Sequence, residues 1–157
     1  CGIYLDNSSV GFSVHHNVVW NTRWSSIQIN LNATDIDIYN NTFWNGSETM
    51  GWWRPKVGEF PRLKEDTKFE NVRVWNNLSD DDTWDPQCFL EDNLSLDYDP
   101  FVHSGGGDFR LLEDPGRDVG AYKYGEGPWR AGIDWDPEKG PTWHGNYGLL
   151  KQPSTGN

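Results

Sequence analysis

Two consecutive stretches near the start of the chain, residues 2–21 and 26–45, share one pattern of apolar and polar positions. At an offset of 24 residues, Ile3 falls on Ile27 and Leu5 falls on Ile29. The same offset aligns Phe12 with Ile36, Val14 with Ile38, and Val19 with Phe43. In each copy the apolar residues alternate with polar ones, which is the period of a β-strand and not of a helix. Each copy therefore predicts three short strands.

A partial third copy lies further along the chain. Residues 72–79, VRVWNNLS, match residues 36–43 at an offset of 36. Asn17, Asn41 and Asn77 occupy the same place in the three copies, directly after the second predicted strand. At a sharp corner of a coiled chain, an inward Asn amide can bond the Asn amides above and below it. The three residues therefore predict a hydrogen-bonded ladder, although asparagine is also a common turn residue.

A repeat of about 20 to 30 residues made of three short strands is typical of a solenoid. We expect an all-β fold in which each copy is one coil, with about three coils present and strands about 4.8 Å apart. Three coils bury too little core to be stable alone. Further coils are therefore expected N-terminal to Cys1, on the same chain or on another chain.

Composition narrows the function classes. The chain of 157 residues carries a formal net charge of −11 and has a sequence pI of about 4.6. This acidity argues against binding to nucleic acid or to anionic membranes. No apolar run approaches the ~18 residues of a membrane-spanning helix. The 10 Trp residues suit a secreted protein that handles sugars, because indole faces stack on pyranose rings, but they can also pack a thin core.

The motifs GIYLDNSS, VHHNVVWN and IYNNTFWN, together with the ending at residues 99–122, resemble a known fold. Over roughly residues 1–124 the chain resembles the right-handed parallel β-helix of the pectate-lyase-like superfamily, in particular the C-terminal portion of its secreted glycoside hydrolases and polysaccharide lyases. The resemblance implies that IYL and IQI belong to a first sheet, FSV and IDI to a second, and VVW and TFW to a third. It also implies an Asn ladder between the second and third sheets and a substrate groove over the first.

The repeats and the resemblance together predict one domain. Residues 1–78 are expected to form the coils, with a long loop at residues 46–66. Residues 79–157 are expected to form an irregular C-terminal cover that packs on the coils. The tail from Gly125, which is rich in Gly, Pro and Trp, is expected to lie along the solenoid.

Asp6 is the first candidate for catalysis, because it directly follows the first strand of the sheet that the resemblance places under the substrate. On the outward side of this sheet, Tyr4 aligns with Gln28 and Asp6 aligns with Asn30, so all four side chains are candidates for contact with sugar. The alternative is that Asp6 only caps its own turn by bonding the backbone of the serines that follow.

Asp66 is the candidate for a second carboxylate. If the segment LKED supplies the third strand of the first sheet, Asp66 joins the column of Asp6 and Asn30. Two strand spacings then separate the two aspartates by about 9.6 Å. Inverting glycosidases hold their carboxylates about 6.5–9.5 Å apart, so the spacing suits that chemistry. A partner for Asp6 on a preceding coil is the alternative.

The predicted loop at residues 46–66 contains Trp52, Trp53 and Arg54. A loop of this length is usually functional or disordered, and paired tryptophans disfavour disorder. We expect these three residues to form a sugar-binding wall of the groove, with a purely structural flap as the alternative.

The sequence therefore predicts a glycoside hydrolase that acts on a polysaccharide in a groove on the first sheet. Two alternatives stay open. A polysaccharide lyase on a uronate polymer would need a base such as Arg54, Arg62 or Lys64 and usually calcium, and an acidic chain repels that substrate. A non-catalytic β-helical adhesin, fibre or sugar-binding protein is the other alternative.

Three further features concern metals, thiols and glycans. No cofactor is expected, but SDDDTWD at residues 79–85 is dense in oxygen ligands, so calcium is an alternative to an exposed acidic loop. Cys1 and Cys88 can form a disulfide, or Cys1 can pair elsewhere. Sequons predict candidate glycosylation sites at Asn7, Asn32, Asn40, Asn45 and Asn93.

Overall fold

The computed structural model describes residues 1–126 and, beyond them, only two short strands, Trp135–Asp136 and Gly140–Pro141, which pair antiparallel. The described chain is almost entirely β-structure, with one short 3₁₀ helix at Ser104–Gly106. None of its helices is long and apolar enough to cross a membrane. The predicted course of the tail from Gly125 falls almost entirely outside the described residues.

The strands are short. In chain order they are β1 (Ile3–Leu5), β2 (Ser9–Val10), β3 (Ser13–His15), β4 (Val18–Trp20), β5 (Ser25–Asn30), β6 (Ala33–Tyr39), β7 (Thr42–Trp44), β8 (Glu48–Trp53), β9 (Phe69–Trp75), β10 (Leu78–Ser79), β11 (Phe89–Glu91), β12 (Leu94–Ser95), β13 (Phe101–His103) and β14 (Asp108–Leu111).

Strands β1 to β12 form three parallel sheets. The first sheet has the order β1-β5-β8, and the third has the order β4-β7-β10-β12. The second sheet has the order β2-β6-β9-β11, and β3 also pairs with β6. Every strand pairing within these sheets is parallel. Each of the first three passes of the chain therefore visits the first, second and third sheets in turn, and the fourth pass contributes β11 to the second sheet and β12 to the third.

The strand register confirms the two offsets of the repeat. Ile3 lies opposite Ile27 in the first sheet, and Ile36 lies opposite Val72 in the second. The apolar residues of these positions point inward and form one core, in which Ile27, Ile36 and Val72 have no exposed surface. Alternation along the strands thus gives each sheet one apolar face toward the core and one outward face.

The third strand of the first sheet is not where the sequence predicts it. β8 takes this place, with Met50 opposite Ile27 and Trp53 opposite Asn30, so LKED is not part of the sheet and Leu63 does not lie under Ile3. Met50 is fully buried, and this burial drives the strand into the sheet. The irregular segment between β8 and β9 is consequently residues 54–68 rather than 46–66.

The parallel sheets also continue beyond residue 78. β11 pairs with β9 and β12 pairs with β10, so the third and fourth passes stay in register to Ser95. The segment EDNLS repeats the chemistry of WNNLS in the preceding pass, and this similarity is the signal that identifies the fourth pass.

Four asparagines stack at the corner between the second and third sheets. Nδ2 of Asn17 donates to Oδ1 of Asn41 at 3.0 Å, and Nδ2 of Asn41 donates to Oδ1 of Asn77 at 2.9 Å. Nδ2 of Asn77 donates in the same way to Oδ1 of Asn93 at 2.9 Å. The backbone N–H of each donor residue bonds the same oxygen. Since Asn41 and Asn77 are fully buried, the ladder satisfies polar groups that water cannot reach.

The residue before each ladder asparagine has a left-handed backbone. The φ angles are 52° at His16, 48° at Asn40, 53° at Asn76 and 49° at Asp92. Asn, Asp and His tolerate this conformation better than most residues that carry a Cβ. In the dipeptides HN, NN and DN at these corners, the first residue turns the chain. The second residue, the asparagine, forms the hydrogen bonds of the ladder.

A C-terminal cover packs on the outward face of the third sheet. Strands β13 and β14 form an antiparallel hairpin. The Phe101 ring lies 4.8 Å from the Trp44 ring, and the Phe109 ring lies 5.3 Å from the Trp20 ring. The backbone N–H of Ala121 donates to Oγ1 of Thr42 at 3.0 Å. Trp20 and Trp44, two tryptophans of the repeat, therefore pack against the cover and are not fully exposed to solvent.

Replacing Asn77 by alanine is expected to lower the free energy of unfolding by about 1–3 kcal/mol, because Asn41 and Asn93 each lose a buried partner. Asn32→Ala is the control, since Asn32 is exposed and its one bond, from the N–H of Lys68, can be replaced by water. Chemical denaturation of both variants measures the difference. Equal losses in the two variants would show that the ladder contributes no special stability.

Candidate functional site

A chain of hydrogen bonds crosses the outward face of the first sheet. Oγ of Ser25 donates to Oε1 of Gln28 at 3.1 Å, and Nε2 of Gln28 donates to Oδ1 of Asn30 at 2.6 Å. Nδ2 of Asn30 then donates to the hydroxyl oxygen of Tyr4 at 2.5 Å. Because that oxygen already accepts a hydrogen bond, the Tyr4 proton is free to be donated to Asp6.

The charge of Asp6 acts on the Tyr4 hydroxyl. Desolvation raises the pKa of Tyr4, and the charge of Asp6 and its hydrogen bond with the hydroxyl raise it further. Gln28 is 1% exposed and Asn30 is 8% exposed, whereas Tyr4 is 48% exposed. The chain of hydrogen bonds therefore runs from buried amides to an exposed hydroxyl. Of the predicted site residues, Tyr4, Asp6, Gln28 and Asn30 are brought together.

The Asp6 carboxylate does not cap its turn in the described chain. The turn is closed instead by Oγ of Ser9, which donates to the backbone carbonyl of Asp6 at 3.1 Å. The carboxylate therefore faces the outward side of the first sheet, where Tyr4 contacts it.

Trp53 extends the column that begins with Asp6 and Asn30. It lies opposite Asn30 in the sheet, is 43% exposed, and its ring meets the Phe60 ring edge-on at 5.4 Å. Phe60 belongs to the segment 54–68, which thus forms a wall beside Trp53. Trp52 lies opposite the inward residue Ile29 but is 37% exposed, so the expectation that both tryptophans line one groove stays a prediction.

Glu48 is a site residue that the sequence does not predict. A Cβ on Gly51 would lie 2.0 Å from Oε1 of Gln28 and 2.7 Å from Oε1 of Glu48. Both side chains therefore fold over the backbone of Gly51, which gives them room because it has no side chain. The sequence hides this contact, because residues 46–66 are expected to form a loop.

Arg54 has a structural role. Its Nε donates to Asp85 at 2.7 Å and a terminal nitrogen donates to the other carboxylate oxygen at 3.0 Å. Asp85 is fully buried, and the guanidinium also lies over the Phe69 ring. Because an unpaired buried carboxylate is costly, this pair holds Arg54 away from the groove. The ion pair occupies part of the guanidinium, and sugar binding by Arg54 stays a prediction.

Asp66 does not join Asp6. Its Oδ1 accepts a hydrogen bond from the backbone N–H of Val57 at 2.8 Å, within the segment 54–68. The predicted spacing of two passes between the two aspartates has no basis once β8 occupies the third position of the first sheet. The catalytic role predicted for Asp66 loses its geometric support.

Within the described residues, no group of three or more His, Cys, Asp or Glu side chains is placed to hold a metal ion. In the acidic stretch at residues 79–85, Asp80 and Asp81 accept hydrogen bonds from backbone N–H groups. Burial acts to raise the pKa of Asp81, but hydrogen bonds from Thr83 and Thr49 outweigh it and hold the pKa below its ordinary value. These carboxylates stabilise a turn, and calcium stays an untested alternative.

The two cysteines are both free thiols, with Cys1 exposed and Cys88 buried. Burial, with a smaller effect of the Asp85 charge, raises the pKa of Cys88 to about 12, so this thiol is unreactive at neutral pH.

Two of the candidate glycosylation sites are unsuitable. Asn40 is 7% exposed and donates to the backbone carbonyl of Asp118. Asn93 is the fourth rung of the ladder. Asn7, Asn32 and Asn45 are exposed, so these three sequons stay predictions.

No protein-family model, no curated protein and no solved structure matches the chain. The interpretation of the site therefore depends on its own geometry.

Replacing Asp6 by asparagine is expected to lower the pKa of Tyr4, because the variant removes a negative charge that helps to raise it. A pH titration of the tyrosine ring carbons by NMR measures the change. Asp66→Asn is the control and is expected to leave Tyr4 unaffected, since Asp66 bonds Val57 instead. An unchanged Tyr4 pKa in Asp6→Asn would contradict the contact between the two side chains.

Proposed function

We propose that the three parallel sheets are the walls of a right-handed parallel β-helix of the pectate-lyase-like kind, with the described passes as its coils. The order of strands supports this proposal, since the first three passes visit the same three sheets in the same sequence and the fourth continues the second and third sheets. The asparagine ladder between the second and third sheets supports it as well. In this fold the outward face of a sheet is the surface available to a long polymer.

The function that the geometry supports best is a secreted glycoside hydrolase that acts on a neutral or weakly charged polysaccharide along the first sheet. The observation that carries the proposal is the chain of hydrogen bonds from the buried amides to the Tyr4 hydroxyl, whose pKa is raised in part by the charge of the neighbouring Asp6. Buried amides restrict the position of Tyr4, and Tyr4 in turn restricts Asp6. A fixed carboxyl group next to a stacking surface is what cleavage of a sugar chain requires.

The roles follow from the positions. Asp6 transfers the proton, Tyr4 orients the Asp6 carboxyl group, and Trp53 stacks on a sugar ring. Hydrolysis breaks the bond between the anomeric carbon and the glycosidic oxygen, and that oxygen takes a proton from a carboxylic acid. A second carboxylate takes a proton from the attacking water. Glu48 is the candidate for this second group, because it folds onto the same outward face beside Gln28.

A second candidate function is a non-catalytic sugar-binding protein. The column of Asp6, Asn30 and Trp53 contains a single carboxylate, and this favours binding without cleavage if Glu48 does not reach the bond. A lyase on a uronate polymer has less support, since Arg54 is held by Asp85 and the net charge of −11 repels such a substrate.

Partners of the proposed β-helix are a polysaccharide and further coils N-terminal to Cys1, on the same chain or on another chain. The outer edges of β1, β3 and β4 support the second partner, because in the described chain each of these strands pairs on one side only. An unpaired parallel edge readily accepts another strand.

Asp6→Asn is expected to preserve the fold and to reduce the cleavage rate by about 10²–10⁴-fold, the usual contribution of a proton-transferring group. Trp53→Ala is expected to raise KM and to leave kcat nearly unchanged, because it removes stacking but not proton transfer. Release of reducing ends from plant, algal and microbial polysaccharides measures both, with Asp66→Asn as the control. Full turnover by Asp6→Asn would exclude Asp6 as the acid, and no cleavage of any polysaccharide by the wild-type protein would favour the non-catalytic function.

A further inference from the structure

Three aromatic rings form a column on the outward face of the second sheet. The His15 and Tyr39 rings stack with centroids 4.9 Å apart and planes inclined by 13°. The Tyr39 and Trp75 rings stack with centroids 4.6 Å apart and planes inclined by 7°. Both distances match the spacing of neighbouring strands, about 4.8 Å, so the register of the sheet sets the stack.

The fourth position of this column holds no ring. Glu91 lies opposite Trp75 in the sheet, and it is exposed. The Trp75 ring borders a cleft of about 370 Å³, and the guanidinium carbon of Arg73 also lies over this ring, 5.4 Å from its centroid. The residues that line this cleft are Arg73, Trp75, Phe89, Leu90 and Glu91. The side chain of Glu91 therefore occupies the position at which a fourth aromatic ring would continue the stack.

The charges at the cleft limit what can bind there. Arg73 is held by Asp37, with Nε and a terminal nitrogen each 2.8 Å from a carboxylate oxygen. The Glu91 carboxylate has no hydrogen-bond partner within the described part of the chain, so it is free to accept hydrogen bonds from a ligand. An anionic ligand would meet this carboxylate while the nearest guanidinium is already neutralised.

We propose that this cleft is a second carbohydrate site, in which a neutral pyranose ring stacks on Trp75 and donates hydroxyl hydrogen bonds to Glu91. A pyranose ring presents a flat array of C–H groups that suits an indole face. Phe89, which is 67% exposed, offers apolar surface beside it. The site lies on the second sheet and shares no residue with the site on the first sheet, so it does not depend on the proposed hydrolase.

Isothermal titration calorimetry with soluble hexasaccharides of cellulose, xylan, mannan and chitin, and with hexagalacturonate, tests the proposal on the full chain. At least one neutral hexasaccharide is expected to bind to the wild-type protein, and hexagalacturonate is expected to bind at least tenfold more weakly than that ligand. Trp75→Ala is expected to weaken binding of the neutral ligand by about tenfold or more. Because this variant also loses the contact with Tyr39, a second variant is needed.

Glu91→Phe is that second variant. It is expected to add a fourth ring to the stack, which raises the melting temperature while abolishing sugar binding, a combination that damage to the fold would not produce. Glu91→Gln keeps the size of the side chain and is expected to retain the neutral ligand. Asn32→Ala, which changes an exposed residue outside both proposed sites, is expected to leave binding at this cleft unchanged.

Three outcomes would overturn the proposal. The first is that no neutral hexasaccharide binds to the wild-type protein at millimolar concentration. The second is that a bound ligand retains full affinity in Glu91→Phe. The third is that hexagalacturonate binds as tightly as the neutral ligands, which would contradict the selectivity assigned to Glu91.

Discussion

The asparagine ladder is the interaction on which the rest of the structure depends. Each rung places a side-chain oxygen between the backbone N–H and the amide of the residue in the preceding pass. At Asn41 and Asn77 these groups are fully buried, so a shift of one pass by one residue would leave buried donors and acceptors without partners. The cost of such a slip restricts the passes to one register.

That register determines what appears on the outward faces. In the first sheet it sets Tyr4 opposite Gln28, so that hydrogen bonds run from buried amides to the Tyr4 hydroxyl. In the second sheet it sets Tyr39 opposite Trp75, so that the rings stack at the strand spacing. The proposed catalytic face and the proposed sugar-binding cleft thus both follow from one set of backbone pairings.

Sequence reasoning succeeds where the chemistry repeats and fails where it does not. The offset between Ile3 and Ile27 follows from alternation alone, because the inward residues Ile3 and Leu5 both have apolar counterparts in the next pass. The strand at Glu48–Trp53 breaks that pattern, since Gly51 replaces a polar outward residue and Trp52 replaces Ile29. Its place in the sheet depends on burial of Met50 and on the space left by Gly51, neither of which a pattern reveals.

The repeat pattern also does not predict the roles of individual polar residues such as Arg54 and Asn93. Arg54 follows two tryptophans and has the composition of a sugar-binding group, but its partner Asp85 is distant in sequence and becomes adjacent only when the third pass closes. Asn93 has an intact sequon, and the pairing of β12 with β10 places it in the ladder.

The most direct test of the ladder is hydrogen exchange of the asparagine side-chain amides, followed by NMR in deuterated water. The amide protons of Asn41 and Asn77 are expected to exchange far more slowly than those of the exposed Asn7 and Asn32, because the former are buried and bonded between passes. Exchange of all four at similar rates would show that the ladder is open in solution and would contradict the register on which both proposed sites depend.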